Sequence, residues 1–482
     1  MVSRRWFIGG AAAFGAFGGN RFFACFGGEP LERPKLRLGV VSDVHVCVYG
    51  SDKGVWGTEL LKAAFEYYRD RQVDAIVIPG DLADQGYGEG LRAVAKTWRE
   101  VFPDDKLPDG RKVEKVFVFG NHDFGGAWYT DWGKKRYASD AERAADNLRI
   151  HPEKLWREAF EEDYSPFYRK EIRGFTFFGQ HWDNGSRQQE SGKVYPFGDL
   201  LKEHLADPKN RPDPSKPFFY VQHPHPKNTC YGSWAWGHDD GVSTEVLSAY
   251  PNAIALSGHS HYALTDERTI WQGAFTSVGA SSLRFVQNSP GCDNGNETPV
   301  EGSDTDQLLP PMDAYEGRQG MFMTVYDDSI RLERREFLYG ESLGDDWIIP
   351  LGTEERPYAP AFRARHEEPP RFPRGAALRV VRESGKDRLG KDRQFVTALF
   401  PPARPPSGEA RTIDYEVRAM GGGRVIATKR VFSPGQILPA SRDAGDVVCR
   451  FDATKLPDAV RFEVRPRGAF GAVGAALACE RR

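Results

Sequence analysis

The sequence predicts an α/β protein with a second, all-β part towards its C-terminus. Two observations carry this. From about Lys35 to Phe119, short apolar runs alternate with stretches whose apolar residues fall at helical spacing, the pattern of a sheet flanked by helices. After about Gly385 the pattern becomes short alternating runs split by Pro and Gly turns, as in a small β-sandwich.

The elements follow in order. Leu36–Ser42 reads as a buried strand, and Gly57–Arg71 as a helix whose Leu60, Leu61, Ala64, Phe65 and Tyr68 share one face. Val73–Pro79 is a second strand, Leu91–Val101 a second helix and Val113–Phe119 a third strand. Further strands are expected at Phe175–Gly179, Pro217–Gln222, Ala253–Ser257, Ala274–Gly279, Met321–Tyr326 and Ile330–Phe337. Gly291–Gln307, rich in Asn, Asp and Gly, reads as a surface loop. The Pro- and Arg-rich stretch 357–374 reads as a strap. Beyond it, strands are expected at Phe395–Phe400, Asp414–Ala419, Arg424–Val431 and Val460–Val464. The resulting division is a leader at 1–30, an α/β domain at 35–345, a linker at 346–385 and a β-sandwich at 386–482 of immunoglobulin or fibronectin III style.

A chain of 482 residues exceeds one ordinary domain. With 40% hydrophobic and 28% charged residues it is neither disordered nor a membrane protein by composition. The net charge of −3 is spread along the chain, so no nucleic-acid-binding surface is evident. None of the six cysteines forms a CxxC pair, which argues against a structural zinc knuckle. Cys449 and Cys479 fit either a disulfide or two separate buried thiols. Neither a Gly-x-Ser-x-Gly elbow nor a P-loop occurs.

The first residues are an address. Ser3-Arg4-Arg5-Trp6-Phe7-Ile8 followed by a Gly/Ala/Phe run reads as a twin-arginine (Tat) signal, with an ordinary Sec signal or a chance Arg pair as the alternatives. Export would leave the protein periplasmic or on the cell surface. Phe22-Phe23-Ala24-Cys25 loosely resembles a lipoprotein processing box, which would put a lipid anchor on Cys25.

Five short motifs each stand where a strand should end: Asp43-Val-His45, Gly80-Asp81, Gly120-Asn121-His122-Asp123, His223-Pro-His225 and Gly258-His259-Ser-His261. Sites in open α/β sheets form beyond the carboxyl ends of strands, so five such loops can converge. Carboxylates, an amide and imidazoles together suit Zn, Mn, Fe or Ni rather than calcium. Two such ions about 3.5–4 Å apart can clamp a phosphoryl group. Glycines before Asp81, Asn121 and His259 allow close backbone approach.

This series resembles the calcineurin-like metallophosphoesterases over about Lys35 to Phe337. The resemblance implies an αββα sandwich and hydrolysis of phosphate mono- or diesters by a hydroxide bridging two divalent metal ions. It further implies that Asp43, His45 and His261 hold one metal, that Asn121, His223 and His259 hold the other, and that Asp81 bridges them. It places His122 beside the phosphate as the group that protonates the leaving oxygen, with Asp123 orienting it. The family ligand directly follows its strand, which favours His223 over His225.

Candidate substrate contacts are Trp234, Trp236, Arg284 and His225: the aromatic residues either stack on a sugar or base or pack their own loop, Arg284 either touches phosphate or is a surface or ion-paired residue, and His225 either faces the cleft or fills its loop. The substrate implied is a small-molecule or glycan phosphoester. Two other readings stay open: a metal-dependent hydrolase of another bond, such as a glycosidic one, and a glycan- or protein-binding surface protein with a vestigial metal site. No proposed ligand lies beyond residue 261, so the C-terminal part is expected to be dispensable for the chemistry.

Overall fold

The structure, a computed structural model, describes residues 33–51, 54–125, 137–182, 196–231, 237–286, 317–386, 390–406, 411–433, 437–439, 442 and 445–479. The leader, Cys25 and the loop expected at Gly291–Gln307 lie outside the described residues. No helix among the described residues is long and apolar enough to cross a membrane.

Two mixed sheets form the α/β part. The first runs Glu341–Ser342, Ser329–Glu336, Gln319–Val325, Leu36–Val40, Ala75–Pro79, Glu114–Val118. Its last three strands are parallel. The second runs Ile270–Gln272, Thr276–Gly279, Ala253–Ser257, Phe218–Val221, Phe175–Gln180, Phe167–Ile172, with four parallel strands in its middle.

Strand alternation explains why the sheets stack. Leu36, Leu38, Val40, Val77 and Val116 meet Phe219, Val221 and Leu256 in one shared core. The opposite faces carry helices. Ile76, Ile78 and Phe117 pack with Leu61, Phe65 and Tyr68 of the helix Glu59–Asp70 and with Leu91 and Trp98 of the helix Gly88–Val101. On the far side, Phe178, Phe218 and Tyr220 pack with Leu201, Leu205 and Leu247 from the helices Asp199–Ala206 and Val242–Leu247. The order helix, sheet, sheet, helix is the αββα sandwich. Strands buried on both faces are near-continuous apolar runs, which is why they could be read from sequence.

The C-terminal part is all-β. Arg379–Lys386, Asp392–Phe400 and Val447–Asp452 form one sheet, and Arg424–Phe432, Asp414–Gly421, Arg461–Arg467 and Leu477–Ala478 form another. Val396, Phe400, Tyr415, Val417, Phe451 and Val464 fill one core. Cys449 and Cys479 form no disulfide; Cys449 is in that core, and Cys479 Sγ accepts the Phe462 N–H at 3.4 Å.

The stretch 346–385 differs from a loose linker. Trp347–Pro350 pairs with Ser329–Glu336 of the first sheet, Pro360–His366 is a short helix, and the first C-terminal strand starts at Arg379. The ordering force is a buried ion cluster. Glu267, itself almost fully buried, accepts from Arg334 at 2.9 Å, from the Trp347 indole at 3.0 Å, and from Arg363 on the short helix. A desolvated carboxylate of this kind is tolerable only with such partners.

Candidate metal centre

The motif loops leave the sheets at their carboxyl ends and turn sharply. Asp43, His45, Asp81, His259 and His261 all have left-handed backbone, with φ between 49° and 69°. Such non-glycine conformations concentrate at functional sites because the surrounding structure must enforce them. Glycines make room: a Cβ on Gly120 would stand 2.2 Å from Asp81 Oδ1, and one on Gly258 would stand 2.3 Å from Asp43 Oδ2.

Asp43, His45, Asp81 and His261 are buried, and each offers one ligand atom within 4.8 Å of the others. His261 Nε2 lies 3.0 Å from Asp43 Oδ1 and 3.1 Å from His45 Nε2. On the other side, His223 Nε2 lies 3.1 Å from Asn121 Oδ1 and 3.2 Å from Asp81 Oδ2. The His259 ring packs against His223 with centroids 4.8 Å apart, and its backbone N–H donates to the Asp43 carboxylate at 3.1 Å.

The tautomers test whether this set fits metal ions. His261 Nδ1 faces the Phe285 carbonyl at 2.9 Å, and His223 Nδ1 faces the Pro79 carbonyl at 2.8 Å. A carbonyl only accepts, so both Nδ1 atoms carry the proton. In the neutral rings, Nε2 lone pairs therefore point at carboxylate and amide oxygens. Facing acceptors need a positive charge between them, which either a proton on Nε2 or a metal ion supplies, and a backbone carbonyl on Nδ1 is how ligating histidines are oriented. The residues fit divalent ions.

The electrostatics agree. Burial works against charge on Asp43, but His261 outweighs it and holds the carboxyl down at about 2. Asp81 is likewise held low against burial by His223, His122 and His45. Burial would lower His223, yet Asp81 and Asp43 raise it to about 9. The carboxylates thus demand positive charge at this point.

His122 lies at the mouth, its side chain 45% exposed and its ring 4.5 Å from that of His45. Its Nδ1 is 2.8 Å from Asp84 Oδ1. Burial works to lower its pKa, but Asp81 and Asp84 raise it to about 9. Asp84 was not legible as a site residue, though its position three residues after Asp81 in the same loop was the available signal.

Asp123 has a different part from the one expected. Its carboxylate is fully buried and accepts backbone N–H groups of Gly120 and Ala83 at 2.7 Å and of Leu82 at 3.3 Å. It therefore ties the Asn121 loop to the Asp81 loop and does not orient His122. Burial and the Asp81 charge push its pKa above the ordinary range.

Two candidate substrate contacts have partners within the protein. His225 is buried, with Nδ1 2.6 Å from Ser257 Oγ and Nε2 2.7 Å from Ser260 Oγ, so both ring nitrogens are used internally. Arg284 is buried with its guanidinium 4.2 Å over the Trp56 ring. Trp234 and Trp236 lie outside the described residues. Two aromatic neighbours went unread: Trp182, 5.8–5.9 Å from the His259 and His223 rings, and Phe285, 4.3 Å from His261.

Comparison with known proteins agrees with this geometry. Residues 36–263 match the calcineurin-like phosphoesterase family. No curated protein matches. Among solved structures, the chain is similar to a predicted phosphoesterase from Streptococcus pneumoniae (13% identity, 65% of this chain and 97% of that one, TM-score 0.26). It is also similar to a purple acid phosphatase from yellow lupin seeds (14% identity, 66% and 55%, TM-score 0.36) and to an archaeal phosphodiesterase (12% identity, 66% and 100%, TM-score 0.22). At these scores the likenesses carry no argument about the site, which rests on the family match and the side-chain geometry. The chain carries a calcineurin-like phosphoesterase domain over residues 36–263.

Proposed function

We propose that the protein is a binuclear-metal phosphoesterase that hydrolyses phosphate mono- or diesters outside the cytoplasm. The supporting observation is the position of Asp81. Its Oδ2 lies 3.2 Å from His223 Nε2 and 3.5 Å from His45 Nε2, so one carboxylate stands between two donor groups. Asp43, His45 and His261 would hold one ion, Asn121, His223 and His259 the other, and Asp81 both. Two divalent ions there supply Lewis-acid stabilisation of the phosphoryl group and a nucleophile at neutral pH. Imidazole and oxygen donors suit Zn, Mn, Fe or Ni.

The chain's own residues do the rest. His122, fixed by Asp84 at Nδ1, stands at the mouth with its side chain partly exposed. From there it donates a proton to the ester oxygen as the P–O bond breaks. The Asp84 carboxylate beside Nδ1 favours the protonated ring. The buried Asp123 clamps the two loops so that Asp81 and Asn121 keep their spacing.

Export by the Tat route rests on Arg4-Arg5 and the apolar run after it. The immunoglobulin- or fibronectin-like reading of the C-terminal part rests on the seven strands among its described residues, in two sheets around one core. A phosphoester screen of sugar phosphates, nucleotides and glycerophosphodiesters, with and without chelator, tests the function. Chelator-sensitive turnover of one class supports it. Activity that survives complete metal removal contradicts it.

A further inference from the structure

We infer that the C-terminal β-domain is a working part of the metal centre, and that Ile437 is the residue through which it positions His261. This rests on the reading of the centre proposed above.

Ile437 is 4% exposed and packs in one cluster with Ala263 and Val286. Both partners belong to the centre's own loops. Ala263 is two residues after His261. Val286 directly follows Phe285, whose carbonyl accepts from His261 Nδ1 at 2.9 Å and whose ring lies 4.3 Å from the His261 ring. One side chain from the C-terminal domain thus bears on the loop that carries His261 and on the loop that fixes its tautomer.

Hydrogen bonds hold Ile437 there. Gln319 Nε2 donates to the Ile437 carbonyl at 2.9 Å, and Gln319 Oε1 accepts the Leu264 N–H at 2.7 Å. Gln319 is fully buried, so a lost partner would leave a desolvated amide. Arg411 of the C-terminal part adds a second tie, donating to the Leu438 carbonyl and, at 2.7 Å, to the Leu343 carbonyl of the α/β part. The expectation that the C-terminal part is dispensable overlooked this contact because Ile437 lies 176 positions beyond His261 (437 − 261).

The test is Co2+ titration of the metal-free, full-length protein, read by absorbance, for wild type, Ile437→Ala, Ile437→Val and Val417→Ala. Val417 is equally buried in the core of the C-terminal domain but belongs to a different cluster, so it reports general loosening. Removing a partner that orients a metal ligand costs about 10–100-fold in metal affinity. The expected result is such a loss for one of two Co2+ ions in Ile437→Ala, most of it restored in Ile437→Val, with Val417→Ala unchanged. Unchanged Co2+ affinity in Ile437→Ala overturns the inference, as does an equal loss in Val417→Ala. Wild-type protein that binds no Co2+ overturns the reading of the centre and this inference with it.

Discussion

Asp84 Oδ1 lies 2.8 Å from His122 Nδ1, and the same oxygen lies 3.9 Å from His45 Nδ1. Asp84 is 13% exposed, and His122 and His45 hold its carboxyl far below the ordinary range despite burial. It is therefore an anion at any working pH. Its place between a mouth histidine and a centre histidine makes it the residue that sets the direction and charge of His122.

Asp84→Asn should separate these two effects. The amide keeps an acceptor for Nδ1–H but removes the charge that favours the imidazolium form. His122 then loses its proton at lower pH, so the alkaline limb of the pH–rate profile moves to lower pH. Metal content should stay near wild type. An unshifted alkaline limb would remove Asp84 from this role.

His122→Ala should leave metal content intact and slow turnover by about 10²–10⁴-fold, the usual worth of a positioned general acid. The loss should be smaller for p-nitrophenyl esters than for alkyl esters, because p-nitrophenolate leaves with little protonation. Equal losses on both would show that His122 acts only in positioning the phosphate.

The parts of the protein differ in how far they could be read from sequence, for physical reasons. Strands such as Ala75–Pro79 and Ala253–Ser257 are buried on both faces, so composition alone marks them. The candidate ligands stood out in the sequence because each stands in the loop just beyond the carboxyl end of a strand, where the apolar run stops. Asp84 carried only its place three residues after Asp81 in the same loop, a weak signal beside the paired motif residues. Asp123 was misread because its neighbour in sequence, His122, is not its partner in space. Arg379–Lys386 was read as linker because it is an exposed edge strand without a clear alternation. The contact of Ile437 with Val286 has no local trace at all.

Glu267 gives a prediction about stability. Burial works to raise its pKa, but Arg334 and Arg363 outweigh it and hold the carboxyl below its ordinary 4.5. A depressed folded pKa contributes stability that is present above the ordinary value and fades as pH falls through the folded one. Breaking a buried pair costs about 3–5 kcal/mol, so Glu267→Gln should lower Tm clearly at pH 7. The difference from wild type should shrink as pH falls below 4.5. A Tm gap that stays constant across this range would deny Glu267 its charged role.

The central claim is that Asp81 joins two metal ions into one hydrolytic centre. Its most direct test is metal stoichiometry of wild type and Asp81→Asn by mass spectrometry, paired with hydrolysis of p-nitrophenyl phosphate and bis-p-nitrophenyl phosphate by the same samples. The account predicts two ions per wild-type chain, fewer in Asp81→Asn, and loss of hydrolysis with the missing ion. An Asp81→Asn protein that keeps its full metal content and wild-type turnover would contradict it.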